Sequence, residues 1–306
     1  MNIHVLGSAA GGGFPQWNCG CANCAGVRAN AIAAQPRSQT CLAIESEDGS
    51  WFLVHASPDI RTQLLGFPPL HPRTLRDSPI SGVLLTNADL DQCLGLLSLR
   101  ESQPLHVYST EAVRQAFTVG NRLYQCLCRT PDQITWHELK LDSPQALIRE
   151  DNRLSSLSVT ALPVPGKPPL YLEDDVSPCA GDNIGLLFRD RRGDRTCGYA
   201  PCVGGPGGSV DRLLDEADCL LFDGTFWSDD ELLSLGIGRR TARQMAHWPL
   251  GGPDGSLAVL FKARACRRLL IHINNSNPIL RDDSPERREV ERAGVAVAYD
   301  GLEITV

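Results

Sequence analysis

The sequence lacks three features that would assign it at once to a class of proteins. It has no excess of basic residues, because 29 Lys and Arg stand against 36 Asp and Glu and the net charge is -7; this argues against binding nucleic acid or an anionic membrane. It has no apolar run near the roughly 20 residues of a membrane span. Its start, MNIHVLGSAAGGG, has no basic region followed by a long apolar stretch, as a signal peptide would. We therefore expect a cytoplasmic protein.

The sequence also lacks internal repeats, low-complexity tracts and a linker between two cores. Short β-like runs alternate with helical segments, which favours one α/β domain over residues 1–306. The predicted strands are Asn2–Leu6, Thr40–Glu45, Trp51–Val54, Gly82–Leu85, Leu105–Tyr108, Ser158–Ala161, Ile184–Phe188, Cys219–Phe222, Arg268–Ile273 and Val295–Ala298. The predicted helices are Pro58–Leu65, Leu90–Arg100, Glu111–Val119 and Pro285–Ala293. The hydrophobic pattern alone fits both a doubly wound sheet and a sandwich of two sheets with helical flanks.

Three of the twelve cysteines are clustered in WNCGCANC. In a reducing compartment, cysteines are thiols or metal ligands rather than disulfides. Three thiolates on one short loop, Cys19, Cys21 and Cys24, suit a tetrahedral zinc ion, which would hold the glycine-rich Gly11–Cys24 loop in one shape. The alternative is three free thiols near a loop. The nine scattered cysteines are predicted to be small buried apolar residues: Cys41, Cys93, Cys126, Cys128, Cys179, Cys197, Cys202, Cys219 and Cys266.

Metal-capable side chains follow several of the predicted strands, where α/β folds place ligand sites. Strand Gly82–Leu85 is followed by four side chains that offer oxygen: Asn87, Asp89, Asp91 and Gln92. LLFDGTFW places Asp223 after a second strand, LLIHINNSNP places His272 at the end of a third, and MAHWPLGG supplies His247. Each alone is typical of a helix cap, a turn residue or a structural histidine, but their joint recurrence indicates one site.

The segment LLTNADLDQ resembles the metallo-β-lactamase signature T-H-x-H-x-D-H, written mostly with oxygen donors. The positions that correspond to ligands of that family are Asn87, Asp89, Asp91, Gln92, Asp223 and His272. The family's middle histidine should precede the bridging aspartate, and LPVPGKPPLY offers no match for it. The motifs VLGSAAGGGFPQWNC, RSQTCLAI, LLTNADLDQCLGLL, LPVPGKPPLY, DGTFW and IHINNSNPIL are similar to one branch, the pyrroloquinoline quinone (PQQ) biosynthesis protein B family.

This resemblance implies an αββα sandwich of two mixed sheets flanked by helices, in a single domain with a structural zinc loop at residues 15–26. It also implies a bacterial cytoplasmic role in PQQ biosynthesis, and a homodimer, since related zinc-loop members associate near that loop. In those members a histidine completes the zinc site. Here Asn275, a poor zinc ligand, stands at that position, so the fourth ligand is left open.

Oxygen donors stand where the family has histidines, and this replacement indicates a different metal from the family's zinc. Only seven histidines are present, so a histidine-rich dinuclear zinc centre is not expected, and oxygen donors suit Fe²⁺, Mn²⁺ or Mg²⁺ better. His247 and His272 with Asp91 or Asp223 would form the two-histidine, one-carboxylate set of non-haem iron oxygenases. Asp91, His247 and His272 are therefore the predicted catalytic residues, with Asn87, Asp89 and Gln92 as weak ligands or as groups that orient ligands. The Gly11–Gly13 run and Trp17 are predicted to form a wall of the site.

The resemblance implies an iron-dependent hydroxylase that acts on the tyrosine ring of a glutamate–tyrosine intermediate from the precursor peptide. One alternative is a carrier for PQQ or its precursor, involved in transport to the periplasm, with Arg61, Arg73, Arg76, Lys167, Arg239 and Arg240 as candidate cations. Another alternative is a residual zinc hydrolase, although not a β-lactamase. The expected partners are the small peptide-derived substrate or PQQ intermediate and other proteins of the pathway.

Overall fold

A computed structural model describes residues 1–191 and 193–306 and contains mostly short strands and helices. The strands are β1 Asn2–Gly7, β2 Cys41–Glu45, β3 Trp51–Val54, β4 Ile80–Leu84, β5 Leu105–Ser109, β6 Ile134–Glu138, β7 Pro144–Ile148, β8 Leu154–Pro163, β9 Ile184–Asp190, β10 Thr196–Ala200, β11 Cys219–Asp223, β12 Arg267–Ile271, β13 Ala296–Val297 and β14 Glu303–Thr305. The α-helices are α1 Ala22–Arg28, α2 Ile60–Leu65, α3 Leu90–Cys93, α4 Glu111–Thr118, α5 Gly208–Glu216, α6 Glu231–Ser234, α7 Ser256–Leu260 and α8 Pro285–Arg292. Short 3₁₀ turns span Pro68–Leu70, Leu94–Ser98, Arg122–Leu127, Leu170–Leu172, Arg243–Met245 and Pro278–Leu280.

Two mixed sheets of seven strands each form the centre of the molecule. The first has the order β14-β1-β2-β3-β4-β5-β6 and the second the order β13-β12-β11-β10-β9-β8-β7. In the first sheet β3 to β6 are parallel, and in the second β10 to β13 are parallel. Parallel strands in one sheet bring their carboxyl ends to one edge, so the residues after β10, β11 and β12 lie side by side.

The strands alternate their side chains between two apolar layers, as the pleat requires. In β11, Leu221 belongs to the cluster that both sheets share, whereas Leu220 and Phe222 pack on the helical side with Leu213 of α5. A third cluster packs the first sheet against α2 and α4. The order of layers is therefore helix, sheet, sheet, helix, and the predicted αββα sandwich is confirmed.

Two of the predicted helix starts have the expected caps. The Thr110 hydroxyl accepts from the backbone N–H of Val113, and the Ser284 hydroxyl from that of Arg287, with Pro285 in the first turn. The predicted helix Leu90–Arg100 is wrong in length, because α3 ends at Cys93 and a 3₁₀ turn follows.

None of the described helices is long and apolar enough to cross a membrane; α5, at nine residues, is far below the roughly 20 required.

Candidate metal centre

Asp91 and His272 meet across the two sheets, although 181 residues separate them in sequence. Asp91 lies in α3, just after β4, and His272 directly follows β12. His272 Nε2 lies 3.0 Å from Asp91 Oδ2, and 5% of the His272 side chain is exposed. His272 adopts a positive φ of 59°, a backbone conformation that is costly for a non-glycine residue and is typical of functional sites. Gly11 closes one side, because a side-chain carbon added there would lie 3.5 Å from Asp91.

The proton positions around His272 follow from its neighbours. The Thr225 hydroxyl lies 2.6 Å from Asp223 Oδ1 and 2.9 Å from His272 Nδ1. Because a carboxylate only accepts, the hydroxyl donates to Asp223 and accepts from the Nδ1–H of His272. A neutral His272 therefore directs the lone pair of Nε2 at the Asp91 carboxylate, and two acceptors at 3.0 Å require a proton or a cation between them.

The charges at this contact favour a bound cation. Burial opposes a charged His272, but Cys202 and the hydrogen bond to Asp91 outweigh it and hold the pKa of His272 well above its usual range. Burial likewise opposes ionisation of Asp91, yet His272 keeps the pKa of that carboxyl low. A divalent cation would replace the shared proton and be held by a carboxylate oxygen and an imidazole nitrogen, as metal binding commonly releases protons. These residues therefore fit a divalent metal ion.

His247 completes a pair of imidazoles at the site and is oriented by Asp223. Its ring stacks on that of His272 with centroids 5.4 Å apart, and its Nδ1 lies 2.8 Å from Asp223 Oδ2. A carboxylate on one ring nitrogen fixes the tautomer and leaves the other nitrogen for a metal. Although burial opposes it, the charge of His247 lowers the pKa of Asp223.

Asp223 itself is saturated by protein donors in this arrangement. Its Oδ1 accepts from the backbone N–H and hydroxyl of Thr225, and its Oδ2 accepts from the Val203 N–H at 2.8 Å as well as from His247. It is fully buried. As arranged, the carboxylate orients the imidazoles, and its predicted role as a direct metal ligand stays a prediction.

The other predicted oxygen donors lie at the same edge with protein partners of their own. Asn87 Oδ1 accepts from the backbone N–H of Asp89 at 3.0 Å, and Asn87 Nδ2 donates to Asn183 Oδ1 at 3.3 Å. Gln92 is buried, and its amide bonds to Thr86 and Cys202. Burial and the nearby charge of Asp91 raise the pKa of Asp89 to about 6. Their roles as weak metal ligands stay predictions.

Cys202 is a metal-capable residue of this site that the sequence interpretation missed. It follows β10 and is 6% exposed, and one ligand atom each from Cys202, His247 and His272 lie within 4.8 Å of one another. The available signal is positional: the resemblance calls for a ligand ahead of Asp223, and Cys202 lies two residues after the strand that pairs with β11. Strand β10 itself was not predicted, so that signal could not be used.

The cysteine cluster lies beside the turn after β12, and its role as a zinc site stays a prediction. The sulfurs of Cys19, Cys21 and Cys24 lie within 4.8 Å of one another, because α1 begins just after Cys21 and turns Cys24 back towards the loop. Asn275 Nδ2 lies 3.2, 3.8 and 3.3 Å from these three sulfurs in turn. Asn23 Nδ2 donates to the carbonyl of Asn275. The position of the fourth ligand is therefore filled by Asn275.

Lys167 acts on Asp89 through its charge and shares an ion-pair partner with Arg240. Lys167 and Arg240 both form ion pairs with Glu173, Arg240 at 2.7 Å. Burial lowers the pKa of Lys167 although Asp89 opposes that shift. In contrast, Arg73 pairs with Asp77 at 2.8 Å, with 56% of its side chain exposed. Of these cations, Lys167 is thus the one whose charge acts on the segment 87–92, which carries the predicted oxygen donors.

Comparison with known proteins agrees with this architecture. The beta-lactamase superfamily domain matches residues 50–273. The chain is 45% identical over 305 residues to coenzyme PQQ synthesis protein B of Stutzerimonas stutzeri and 44% identical to that of Pseudomonas fluorescens (strain SBW25), covering 99% of each chain in both cases. A crystal structure of Zn²⁺-bound PqqB from Methylobacterium extorquens superposes with a TM-score of 0.91 at 38% identity, covering both chains completely.

Proposed function

The chain belongs to the coenzyme PQQ synthesis protein B family of the beta-lactamase superfamily, and we propose that within PQQ biosynthesis it is an iron-dependent hydroxylase. Its substrate is the tyrosine ring of a glutamate–tyrosine intermediate excised from the precursor peptide. The family membership supports the pathway. The reaction is our proposal, and the observation that carries it is that His272 contacts both Asp91, at 3.0 Å, and the stacked ring of His247.

These three residues supply one carboxylate and two imidazoles, the donor set of non-haem iron oxygenases. Asp91 and His272 are already in contact at 3.0 Å, and Asp223 orients His247. A bound ferrous ion would supply the binding and reduction of dioxygen that ring hydroxylation requires. Zinc would not, because it has no redox chemistry.

The net reaction balances with an external reductant. One atom of O₂ enters an aryl C–H bond as a hydroxyl group. The other leaves as water, taking two electrons and two protons from an organic reductant such as ascorbate. Asp89, with a pKa of about 6, can give and regain a proton near neutral pH beside the site. Lys167 offers a positive charge for a carboxylate of the substrate.

The same proposal assigns a structural zinc ion to Cys19, Cys21 and Cys24. Three closely spaced sulfurs suit zinc, and they contact Asn275, whereas Asp91 contacts His272. The two sites would thus hold metals for different purposes, one for stability and one for chemistry.

Anaerobic reconstitution tests the hydroxylase. Protein loaded with Fe²⁺, then given glutamyl-tyrosine, ascorbate and O₂, should yield a product about 16 Da heavier, and about 18 Da heavier when ¹⁸O₂ replaces O₂. Asp91→Asn keeps the shape but removes a charged ligand, so turnover should fall by about 100-fold or more. Asp174→Asn, at an exposed position, is the matched control and should retain wild-type turnover. Equal product from iron-loaded and metal-free protein would refute the proposal.

The carrier for PQQ or its precursor is the second candidate, favoured by Lys167 and Arg240 beside the site. PQQ carries several carboxylates, which cations bind well. Calorimetry with metal-free protein separates the two functions. Tight PQQ binding that is lost in Lys167→Ala, with no turnover after iron loading, would support the carrier.

A further inference from the structure

We propose that His106 and His137 form a third metal site, for a divalent transition-metal ion that takes ligands at right angles, such as Ni²⁺ or Cu²⁺. Neither the cysteine cluster nor the second site, at Asp91 and His272, uses these two histidines. The ion would join β6, the edge strand of the first sheet, to its neighbour β5. This inference is independent of the proposed hydroxylase, since it concerns other residues and is tested without turnover.

The order of strands brings the two histidines to one face of the first sheet. Strands β5 and β6 are parallel, and His137 pairs with Tyr108, two residues beyond His106. Side chains two residues apart in a strand lie on the same face, so His106 and His137 are diagonal neighbours. Tyr108 belongs to the apolar cluster that both sheets share, so this face is turned to the second sheet. Both histidines are only partly buried, which leaves them accessible to an ion from solvent.

The distance between the two rings fits a shared ion. His137 Nε2 lies 2.9 Å from His106 Nδ1, and the ring centroids are 5.0 Å apart. With metal–nitrogen bonds of about 2.0–2.1 Å, two ligands at right angles place their nitrogens about 2.8–3.0 Å apart, and two tetrahedral ligands about 3.3–3.4 Å apart. Right angles are the geometry of tetragonal Ni²⁺ and Cu²⁺, and imidazole suits both ions. The pair therefore fits these ions better than tetrahedral zinc.

The charge state of the pair is also that of metal ligands. Burial lowers the pKa of both histidines, and the charge of His106 lowers the pKa of His137 further. Both rings are therefore neutral near pH 7, and one ring N–H lies between the two facing nitrogens, donated by one ring and accepted by the other. Metal binding commonly releases protons, so a cation would take the place of this shared proton.

Neighbouring groups hold both rings in place before an ion binds. The Tyr108 ring stacks on that of His137, with centroids 4.7 Å apart and an angle of 20° between the rings. Tyr108 is itself fixed, because it is 2% exposed and its hydroxyl accepts from the Ile148 N–H at 2.8 Å. The His106 ring hydrogen-bonds to the backbone of Arg149. Partners of this kind orient the histidines of metal sites, so an ion has little ordering left to impose.

Nickel binding tests the site. Equilibrium dialysis against Ni²⁺, followed by metal analysis, counts the ions per chain, and every variant keeps the residues of the other two sites. His106→Gln and His137→Gln should each bind one ion fewer than the wild type, because a single imidazole holds an ion far more weakly than a pair. His71→Gln is the matched control, since His71 is exposed and its ring contacts the Leu65 carbonyl at 3.1 Å. It should bind as many ions as the wild type.

Nuclear magnetic resonance gives a second measurement, made in the wild type, that does not depend on the folding of a variant. Paramagnetic Ni²⁺ should broaden the ring signals of His106 and His137 together and leave that of His71 sharp. Equal nickel content in the wild type and in both variants of the pair would overturn the site, and so would broadening of one ring of the pair without the other. Loss of an ion in His71→Gln would also overturn it, because nickel would then bind any exposed histidine.

Discussion

At the scale of single residues, the site shows that a residue's chemistry depends on its hydrogen-bond partners. Asp91 and Asp223 are both buried carboxylates near imidazoles, yet Asp91 faces His272 Nε2 with few other donors, whereas Asp223 accepts four hydrogen bonds from the protein. The sequence predicts both as acids after strands. It cannot predict which backbone N–H groups saturate one and leave the other available.

Thr225 should control metal affinity although it is not a ligand. Thr225→Val keeps the shape but removes the hydroxyl that accepts from His272 Nδ1, so the ring loses its fixed tautomer. We expect Fe²⁺ or Co²⁺ affinity at the second site to fall about 10–100-fold and unfolding free energy to fall by about 1–2 kcal/mol. Isothermal titration and urea unfolding measure both quantities.

Thr160→Val is the control for that substitution, because Thr160 lies in β8 and is 8% exposed, away from the site. It should leave metal affinity unchanged. If both variants bind metal as tightly as the wild type, Thr225 does not position His272.

At the scale of elements, the turn after β12 contributes a residue to each of the two candidate metal sites. Asn275 in this turn faces the cysteine cluster, while His272 at its start faces Asp91. The turn is anchored by α6, since Ser276 donates its hydroxyl to Glu231, which also accepts from the Trp227 N–H at 2.7 Å. The sequence does not indicate this contact, because no element is predicted at Glu231 and Ser276 lies 45 residues away.

The anchor should make stability depend on pH. Burial raises the pKa of Glu231 from its usual 4.5 to about 7, although the Ser276 hydroxyl opposes the shift. The folded state therefore binds more protons than the unfolded state between these values. Its contribution to stability is complete below about pH 4.5 and is lost as the pH rises through about 7.

Glu231→Gln should flatten that dependence. Relative to the variant, we expect the wild type to lose up to about 3 kcal/mol of unfolding free energy between pH 4.5 and pH 7.5. Urea unfolding at both pH values gives this difference. Glu289→Gln, at an exposed position of α8, should track the wild type at both. Parallel curves for wild type and Glu231→Gln would show that Glu231 has an ordinary pKa in the folded protein.

At the scale of the whole molecule, the predicted strands are those whose apolar residues either run continuously, as in Trp51–Val54, or alternate with polar ones, as in Asn2–Leu6. Trp51–Val54 was predicted with its observed bounds, and β2 and β11 to within one residue. The edge strands β6 and β7 were missed, since β6 is half exposed and β7 begins with Pro144, which suits only the first residue of a strand or an edge. Strand β10 was missed because TCGYA has a glycine and no long apolar run.

The same limits explain what the sequence could say about the site. Asp91 and His272 can be grouped because each follows a recognisable strand and the resemblance aligns both, whereas His247 is a candidate on a loop before a Trp-Pro-Gly turn. Cys202 cannot be grouped with them, since its neighbours in space belong to other elements: Gln92 lies in α3, which follows β4 of the first sheet, and His272 follows β12, two strands from β10. Sequence patterns report periodicity along the chain, whereas the site depends on the order of strands within each sheet.

The cysteine cluster joins the N-terminal segment of the chain to the turn after β12, so its metal should stabilise the whole fold. Cys24→Ala removes a buried ligand beside Asn275 and should lower the zinc content by one ion per chain. Structural zinc sites contribute folding free energy, but a core of this size folds without them. We therefore expect a folded variant with Tm lower by roughly 5–10 °C, that is, a few kcal/mol.

Calorimetry and metal analysis check this expectation together. A chelator should lower the Tm of the wild type to near that of Cys24→Ala and have a much smaller effect on the variant, because the stabilising ion is already absent there. Cys266→Ala, at an exposed cysteine, should keep both the zinc ion and the wild-type Tm. An unchanged zinc content and Tm in Cys24→Ala would mean that the three sulfurs do not hold a structural metal, and that direct hydrogen bonds such as those from Asn23 to Asn275 and Asn277 tie the loop to the second sheet.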